Sequence, residues 1–331
     1  MNKRNTILLL SMIVLLCAAF TASLLLGRTP ITWGTLVKAF TDYDASNVEQ
    51  LIVRTERLSR AVIALAVGAC LALAGTLMQT MSRNPLASPD VFGVSSGAIL
   101  MVVLAILVNP ATPLLLLSLY AVGGAIIAAA IVYALGSLGR DGLTPVKLVL
   151  AGSAITALFA SCTQAVLVMN EAGLQDVLFW LAGSISGRSL DNVLPLLPFI
   201  GAAALAALSM GRALNLLSTG EDVARGLGQR TGLVKLLLGA LIVILAGGSV
   251  AIVGAVGFIG LFVPHMARGL AGNDYRWVLP FSALLGAALL LLSDVAARLL
   301  ISPSEIPIGV MTAAVGVPFF IHVARKGGAW K

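Results

Sequence analysis

Charge is scarce in this sequence. Of its 331 residues, 11% are Asp, Glu, Lys or Arg, against about 25% in soluble domains. Cysteine is scarcer still. Cys17, Cys70 and Cys162 are odd in number and each lies inside an apolar run, so no disulfide framework or metal-ligand spacing is present. They read as small buried apolar residues. The two histidines, His265 and His322, have no acidic cluster beside them, which speaks against a metal site. A Gly-Lys dipeptide is absent, so no Walker A loop forms and the chain does not split ATP in that way. No Ser, His and Asp set gathers in one accessible region, and the chain is expected not to be an enzyme.

Apolar residues are abundant: 59% of the chain is hydrophobic and the mean hydropathy is +1.02. Crossing a bilayer takes about 20 apolar residues per helix. Ten such spans are expected, at roughly 6–27, 58–80, 91–108, 113–137, 145–168, 192–210, 232–252, 254–270, 277–299 and 306–324. The fold class is therefore all-α, a polytopic membrane protein with ten transmembrane helices forming one domain over 1–331. The N-terminal apolar segment, Thr6 to Leu26, exceeds the roughly 7–15 residues of a cleaved signal, so it reads as a retained span. The glycine-rich "AIVGAVGFIG" separates the seventh and eighth spans.

Positive charge orients the bundle. With the N-terminus in the cytoplasm, seven of the 21 Lys and Arg residues fall outside: Arg28, Lys38, Arg54, Arg57, Arg60, Arg188 and Arg298. The other fourteen fall inside. Both termini are thus expected in the cytoplasm, and the net charge of +7 needs no nucleic-acid partner. Residues 211–231 become a cytoplasmic segment, and "LQDVLFWLAGS" in the outer segment 169–191 reads as a short surface helix.

Residues 215–232, "NLLSTGEDVARGLGQRTG", are the most soluble-looking stretch. Ser218 and Glu221 have capping-box spacing. Glu221 and Arg225 sit at i and i+4 in the favourable order, Val223 and Leu227 share another face, and Gly226 and Gly228 stop the helix. A helix of about two turns is marginal in water and must dock on something, either its own protein or a partner.

Arg54, Arg57 and Arg60 recur every three residues at an outer helix start. They read as a docking stripe for an acidic partner or as arginines snorkelling to headgroups. Asp294 and Arg298, at i and i+4, read as a local ion pair, with Arg298 close enough to the surface to serve a partner too. In "MQTMSRNPLASPDVFGVSSGA", Pro85 and Pro89 stop the helix and Asn84 suits a turn. This turn is a gate or a rigid connector. In "GFIGLFVPHMARGLAG", His265 reads as hydrogen-bonded at a helix break.

Together these segments resemble one family. "RLSRAVIALAVGACLALAGTLMQTMSRNPLASPDVFGVSSGA", "LNLLSTGEDVARGLG", "GFIGLFVPHMARGLAG", "VLPFSALLGAALLLLSDVAARLL" and "SEIPIGVMTAAVGVPFFIHVARK" are similar, in order and spacing, to the FecCD-type (BtuC-like) permeases. These are membrane subunits of type II ABC importers for iron–siderophores, haem and vitamin B12. The match runs over nearly the whole chain.

The resemblance implies a dimeric permease, its second subunit identical or homologous, in a bacterial plasma membrane. Two cytoplasmic ATPase subunits would use ATP and Mg, with no cofactor bound by this chain, and an extracytoplasmic binding protein would deliver an iron–siderophore complex. The ATPase-coupling helix matches Ser218, Glu221, Asp222, Arg225, Leu227 and Gly228. The binding-protein docking arginines match Arg57, Arg60 and Arg298, and the cytoplasmic gate turn matches Asn84, Pro85 and Leu86. Ser59 stands where the family usually has proline, which frees φ at the outer start of this span. Vitamin B12 or haem is the alternative cargo. An ion-coupled transporter fits less well, because the acids lie in loops or near span ends, and a membrane enzyme fits least.

Overall fold

A computed structural model of the chain describes residues 3–138, 144–169, 181–301 and 304–325. Among the described residues every regular element is helical. The numbered helices are α1 (Lys3–Leu25), α2 (Trp33–Thr41), α3 (Val48–Ser82), α4 (Val94–Val108), α5 (Leu114–Ser137) and α6 (Pro145–Met169). They continue as α7 (Leu197–Ser209), α8 (Gly211–Ser218), α9 (Glu221–Gly226), α10 (Thr231–Val253), α11 (Ile259–Ala271), α12 (Tyr275–Leu299) and α13 (Ile308–Arg325).

Each expected span has a helix at its position. Helices α1, α3, α5, α6, α10 and α12 are long and apolar enough to cross a membrane, and α7 and α8 pass that test only when taken together, bent by 51° at their break. The remaining three, α4, α11 and α13, are shorter or only partly apolar. The 13 residues of α11 reach about 20 Å, less than the roughly 30 Å of hydrocarbon. Expected to begin at 254, this helix starts five residues later because Gly254 (φ 79°) and Phe258 (φ 68°) take left-handed backbone. The non-helical 254–258 stretch is tolerated at membrane depth because protein surrounds it. The segment around Gly183 packs against it: the Ser184 amide donates to the Val253 carbonyl just before the stretch, and a Cβ on Gly183 would meet the Ala255 carbonyl.

Helix α3 is the centre of the bundle. In its best apolar window 78% of residues are buried, against 22% in α1 and in α6. It packs most extensively on α12, then on α10 and α11. Lipid tails are as apolar as leucine, so close backbone approach supplies the cohesion. A Cβ on Gly75 would overlap the Gly260 carbonyl of α11, and one on Gly68 would overlap the Gly286 carbonyl of α12. Thr76 and Ser282 add an interhelical hydroxyl contact of 3.0 Å.

Three expectations change here. Helix α3 starts at Val48, not 58, because Asn47 caps it by accepting from the Glu49 and Gln50 amides. Residues 211–218, in the segment expected on the cytoplasmic side with its helix only from about 218, already form a helix, with Leu214 and Leu217 buried. Of the cysteines only Cys70 is buried. Cys17 and Cys162 lie on outward flanks of α1 and α6, where an apolar solvent removes the need for protein burial. Residues 174–180 of the expected surface helix lie outside the described residues, and Leu181 and Ala182 are helical.

Two end faces result. Asn5 and Trp277 line one cavity, and Arg298 reaches the Ser23 carbonyl, so α1 and α12 run parallel. The face where α1 begins is called the terminal face; α3 and α8 end there, and α10 and α12 start there.

Candidate functional site

The opposite face carries a buried charge cluster. Arg60 donates to Asp294 Oδ1 from Nη2 at 2.7 Å and from Nε at 3.2 Å. Its Nη1 donates to Glu305 Oε2 at 3.0 Å. Arg298 Nη2 lies 2.9 Å from Asp294 Oδ2, an ion contact without hydrogen-bond alignment, and donates to the Ser23 hydroxyl at 2.9 Å. Arg57 donates to the Leu24 carbonyl at 2.9 Å and to the Thr29 carbonyl. The cluster thus ties the ends of α1, α3 and α12 to the segment before α13. Burial raises the Glu305 pKa, but the charge and hydrogen bonds of Arg60, with Ser186 and Arg28, hold it below the ordinary carboxylate value.

The three arginines expected on an outer docking surface are not on the surface. Arg57, Arg60 and Arg298 are each 3% exposed. The stripe fails because Val53–Arg57 is π-helical. A π turn holds more residues than an α turn, so three-residue spacing no longer keeps one face. Arg54 points out and stacks on the Tyr43 ring at 4.4 Å, while Arg57 and Arg60 point in. The Asp294–Arg298 pair forms as expected. Helix α3 runs unbroken through Ser59, whose hydroxyl donates to the Thr55 carbonyl.

On the terminal face α8 and α9 form a helical elbow. The capping box does not form. Gly220, at φ 125°, precedes α9 without a side-chain cap, and Ser218 instead donates back to the Asn215 carbonyl at 2.8 Å. Glu221 accepts from Arg225 at 2.7 Å and from Lys235 of α10 at 2.5 Å. Burial raises its pKa, but Lys235, Arg225 and Thr231 outweigh burial and hold it below 4.5. Arg225 also donates to Thr231 at 3.0 Å, and Gln229 to the Ala213 carbonyl at 2.9 Å. Ala224 is fully buried against the bundle, whereas Val223 and Leu227 are 52% and 64% exposed. Asp222 lies in the first turn of α9, and Gly228, at φ 83°, follows its end. A six-residue helix with no intrinsic stability is thus held in place by polar ties, presenting two apolar side chains outward.

Further contacts position this elbow. Asn215 donates to Asp274 at 2.7 Å and accepts from the Tyr275 amide at 2.8 Å, locking α8 to the start of α12. The Arg276 hydrogen bond lowers the Asp274 pKa well below the ordinary range, against a smaller effect of burial. Gln79 donates to the Gly260 and Leu261 carbonyls and accepts from Arg268, linking α3 to α11. Sequence reasoning missed Gln79, Asn215, Lys235 and Arg268. A polar residue inside or beside an apolar run was the available signal.

The turn after α3 forms around Asn84. Its Oδ1 accepts from the Leu86 amide at 2.9 Å and its carbonyl from the Ala87 amide at 3.1 Å. Leu86 is 53% exposed. Helix α3 closes with the Asn84 amide on the Gln79 carbonyl and the Arg83 amide on the Thr80 carbonyl, which is a Schellman closure. Its left-handed residue is Arg83, at φ 50°, where glycine would save about 1–2 kcal/mol. A cavity of about 240 Å³ lies between this turn and α8, lined by Arg83, Pro85, Ser218 and Arg268 among others. A larger one, about 590 Å³, lies beside the starts of α1 and α12. Among the described residues no group of three or more metal-ligating side chains gathers.

Residues 15–326 match the model of the FecCD transport family. The chain is 49% identical over 322 residues to the probable siderophore transport system permease protein YfiZ of Bacillus subtilis, covering 97% of this chain and 96% of that one. It is 47% identical over 279 residues to the Fe(3+)-citrate import system permease protein YfmD of the same organism, covering 84% and 83%. A solved structure, described as an inward-facing metal-chelate type ABC transporter, superposes with a TM-score of 0.85 at 31% identity, covering 96% of this chain and 99% of that one. With helices, order and length in agreement, the chain belongs to the FecCD transport family.

Proposed function

We propose that this chain is the transmembrane permease subunit of an ATP-binding-cassette importer that moves iron–siderophore complexes into the cytoplasm. The observation that carries the reading is the full-length likeness to permeases named for siderophore and Fe(3+)-citrate import, joined to an elbow built to meet a partner. The chain forms one permease domain in the plasma membrane, and the terminal face is cytoplasmic. A separate ATPase dimer supplies ATP hydrolysis with Mg, and a second permease subunit, identical or homologous, completes the pathway.

In this reading α9 is the coupling helix. Val223 and Leu227 enter a groove on the ATPase. The Glu221 ties to Arg225 and Lys235 carry its displacement into α10 instead of letting the helix unwind. The Asn84–Pro85–Leu86 turn is the cytoplasmic gate, with Leu86 as its exposed apolar tip. On the opposite face an extracytoplasmic binding protein docks. Arg57, Arg60 and Arg298 can serve it only by leaving internal partners. Of the two acids that hydrogen-bond Arg60, Glu305, at 18% side-chain exposure, is more open than Asp294 at 1%, and it is the carboxylate that a partner's acid would replace.

The test is uptake of a radiolabelled ferric chelate, with co-purification of the ATPase, in cells carrying Glu221→Ala with Arg225→Ala, or Leu227→Asp. Both variants are expected to lose ATPase association and uptake while still inserting in the membrane. Unchanged association and uptake would sink the coupling assignment. Transport that persists after ATP depletion but collapses with an uncoupler would sink the ABC reading.

A further inference from the structure

The cavity of about 240 Å³ on the terminal face has a one-sided chemistry. Arg83 and Arg268 both line it, with Gln79, Thr80, Ser218 and Tyr275. None of these is acidic. Among the described residues, no carboxylate lies within 4 Å of either guanidinium. Arg268 instead donates to the neutral Gln79 amide, which is oriented by its own bonds to two α11 carbonyls. The neighbouring acid, Asp274, is engaged by Arg276 and Asn215. Arg268, half-buried, and Arg83, exposed at the rim, thus both line a hollow whose other described lining residues carry no carboxylate.

The backbone points the same way from an independent direction. Arg83 occupies the left-handed closing position of α3, which glycine fills without strain. An arginine held there, at the edge of an arginine-lined hollow, has a reason to exist if its side chain is needed. Guanidiniums match tetrahedral oxyanions through paired N–H donors, and the hollow is large enough for a phosphate with its remaining waters.

We propose that this cavity is a phosphate-binding site, with Arg83 and Arg268 as its two cationic donors. The phosphate is either free in solution or carried by an anionic lipid headgroup at the membrane edge. The site touches Pro85 of the turn after α3 and Ser218 at the end of α8. Its occupant therefore bridges the two segments whose separation would change when the terminal face opens. The proposal does not depend on the transported cargo.

The experiment uses the full chain, purified in neutral detergent, with thermal unfolding as readout. Inorganic phosphate is titrated against chloride at matched ionic strength. A second arm places the chain in nanodiscs of phosphatidylcholine with or without phosphatidylglycerol, and native mass spectrometry counts retained anionic lipid. The decisive variant is Arg83→Gly, which removes the guanidinium while relieving its left-handed backbone. It should fold at least as well as the parent and bind at least about tenfold more weakly, the effect of losing one charge-assisted contact. Arg268→Gln should weaken binding comparably. A phosphate-specific shift lost in Arg83→Gly identifies the free anion. Retention of phosphatidylglycerol, lost in the same variant, identifies the lipid. Equal shifts with chloride, binding unchanged in Arg83→Gly, or no response in either arm overturns the proposal.

Discussion

Replacing Asp294 by asparagine keeps the side-chain volume and deletes the charge on which Arg60 and Arg298 converge. Asp294 is 1% exposed and both arginines are 3% exposed, so water cannot take over its role. Breaking a buried ion pair by removing one partner costs roughly 3–5 kcal/mol, because the remaining charge is left uncompensated. Here Arg60 keeps Glu305 at 3.0 Å, and Arg298 keeps the Ser23 hydroxyl. The lower end, about 3 kcal/mol, is therefore expected. A solvent-exposed pair such as Glu221–Arg225, whose arginine is 61% exposed, is worth below about 1 kcal/mol. Equilibrium unfolding of the purified chain in mixed detergent and dodecyl sulfate micelles separates the two regimes. Adding Arg298→Met to Asp294→Asn removes one of the orphaned cations, so the double variant should recover part of the loss instead of adding to it. A single-variant loss below about 1 kcal/mol, or strict additivity in the double variant, would refute the account of this cluster as a shared-carboxylate clamp.

Other consequences are equally direct. Gly75→Ala places a Cβ against the Gly260 backbone, which cannot rotate away, so α3 and α11 must separate; Gly123→Ala meets no atom within 4 Å. Size-exclusion profiles should show loss of the monodisperse Gly75 variant and a normal Gly123 variant. Glu221 has a folded pKa below 4.5, so its contribution is present above the unfolded value and is lost as pH falls through the lower folded value. Parent and Glu221→Gln unfolding midpoints should therefore differ at neutral pH and converge at acid pH; a constant gap would contradict the assignment. With all native cysteines replaced, an impermeant maleimide added to intact cells should label Asp42→Cys and not Ser218→Cys, and the reverse pattern would invert the proposed orientation.

The helices were legible because a bilayer imposes one simple rule. Backbone groups must bond internally along about 20 apolar residues, and that rule recovers a helix at each of the ten expected spans, though not the short α2, α8 and α9. It says nothing about where an extended stretch can hide inside protein. Hence α11 was drawn five residues too long at its start, although glycines flanking the break were visible. Charge was the harder problem. A spacing of three residues implies a shared face only if the helix keeps its ordinary turn, and the π-helical Val53–Arg57 stretch removes that condition. Arg57 and Arg60 therefore read as surface and fold as core. The carboxylates of Arg60 lie more than two hundred residues away, at Asp294 and Glu305, and Arg57 bonds backbone carbonyls at Leu24 and Thr29; no local pattern announces either. The same blindness applies at the other end. Capping spacing suggested that Ser218 and Glu221 satisfy each other, but Gly220 lets the chain turn sharply between them. That turn frees Glu221 to reach Lys235 on the next span. The elbow is thus held by contacts across the chain, not within the motif. A rigid link from α9 into α10 is what a segment needs if it is to pass a push from a soluble partner into the membrane, and a self-capped helix would have stopped the push at the loop.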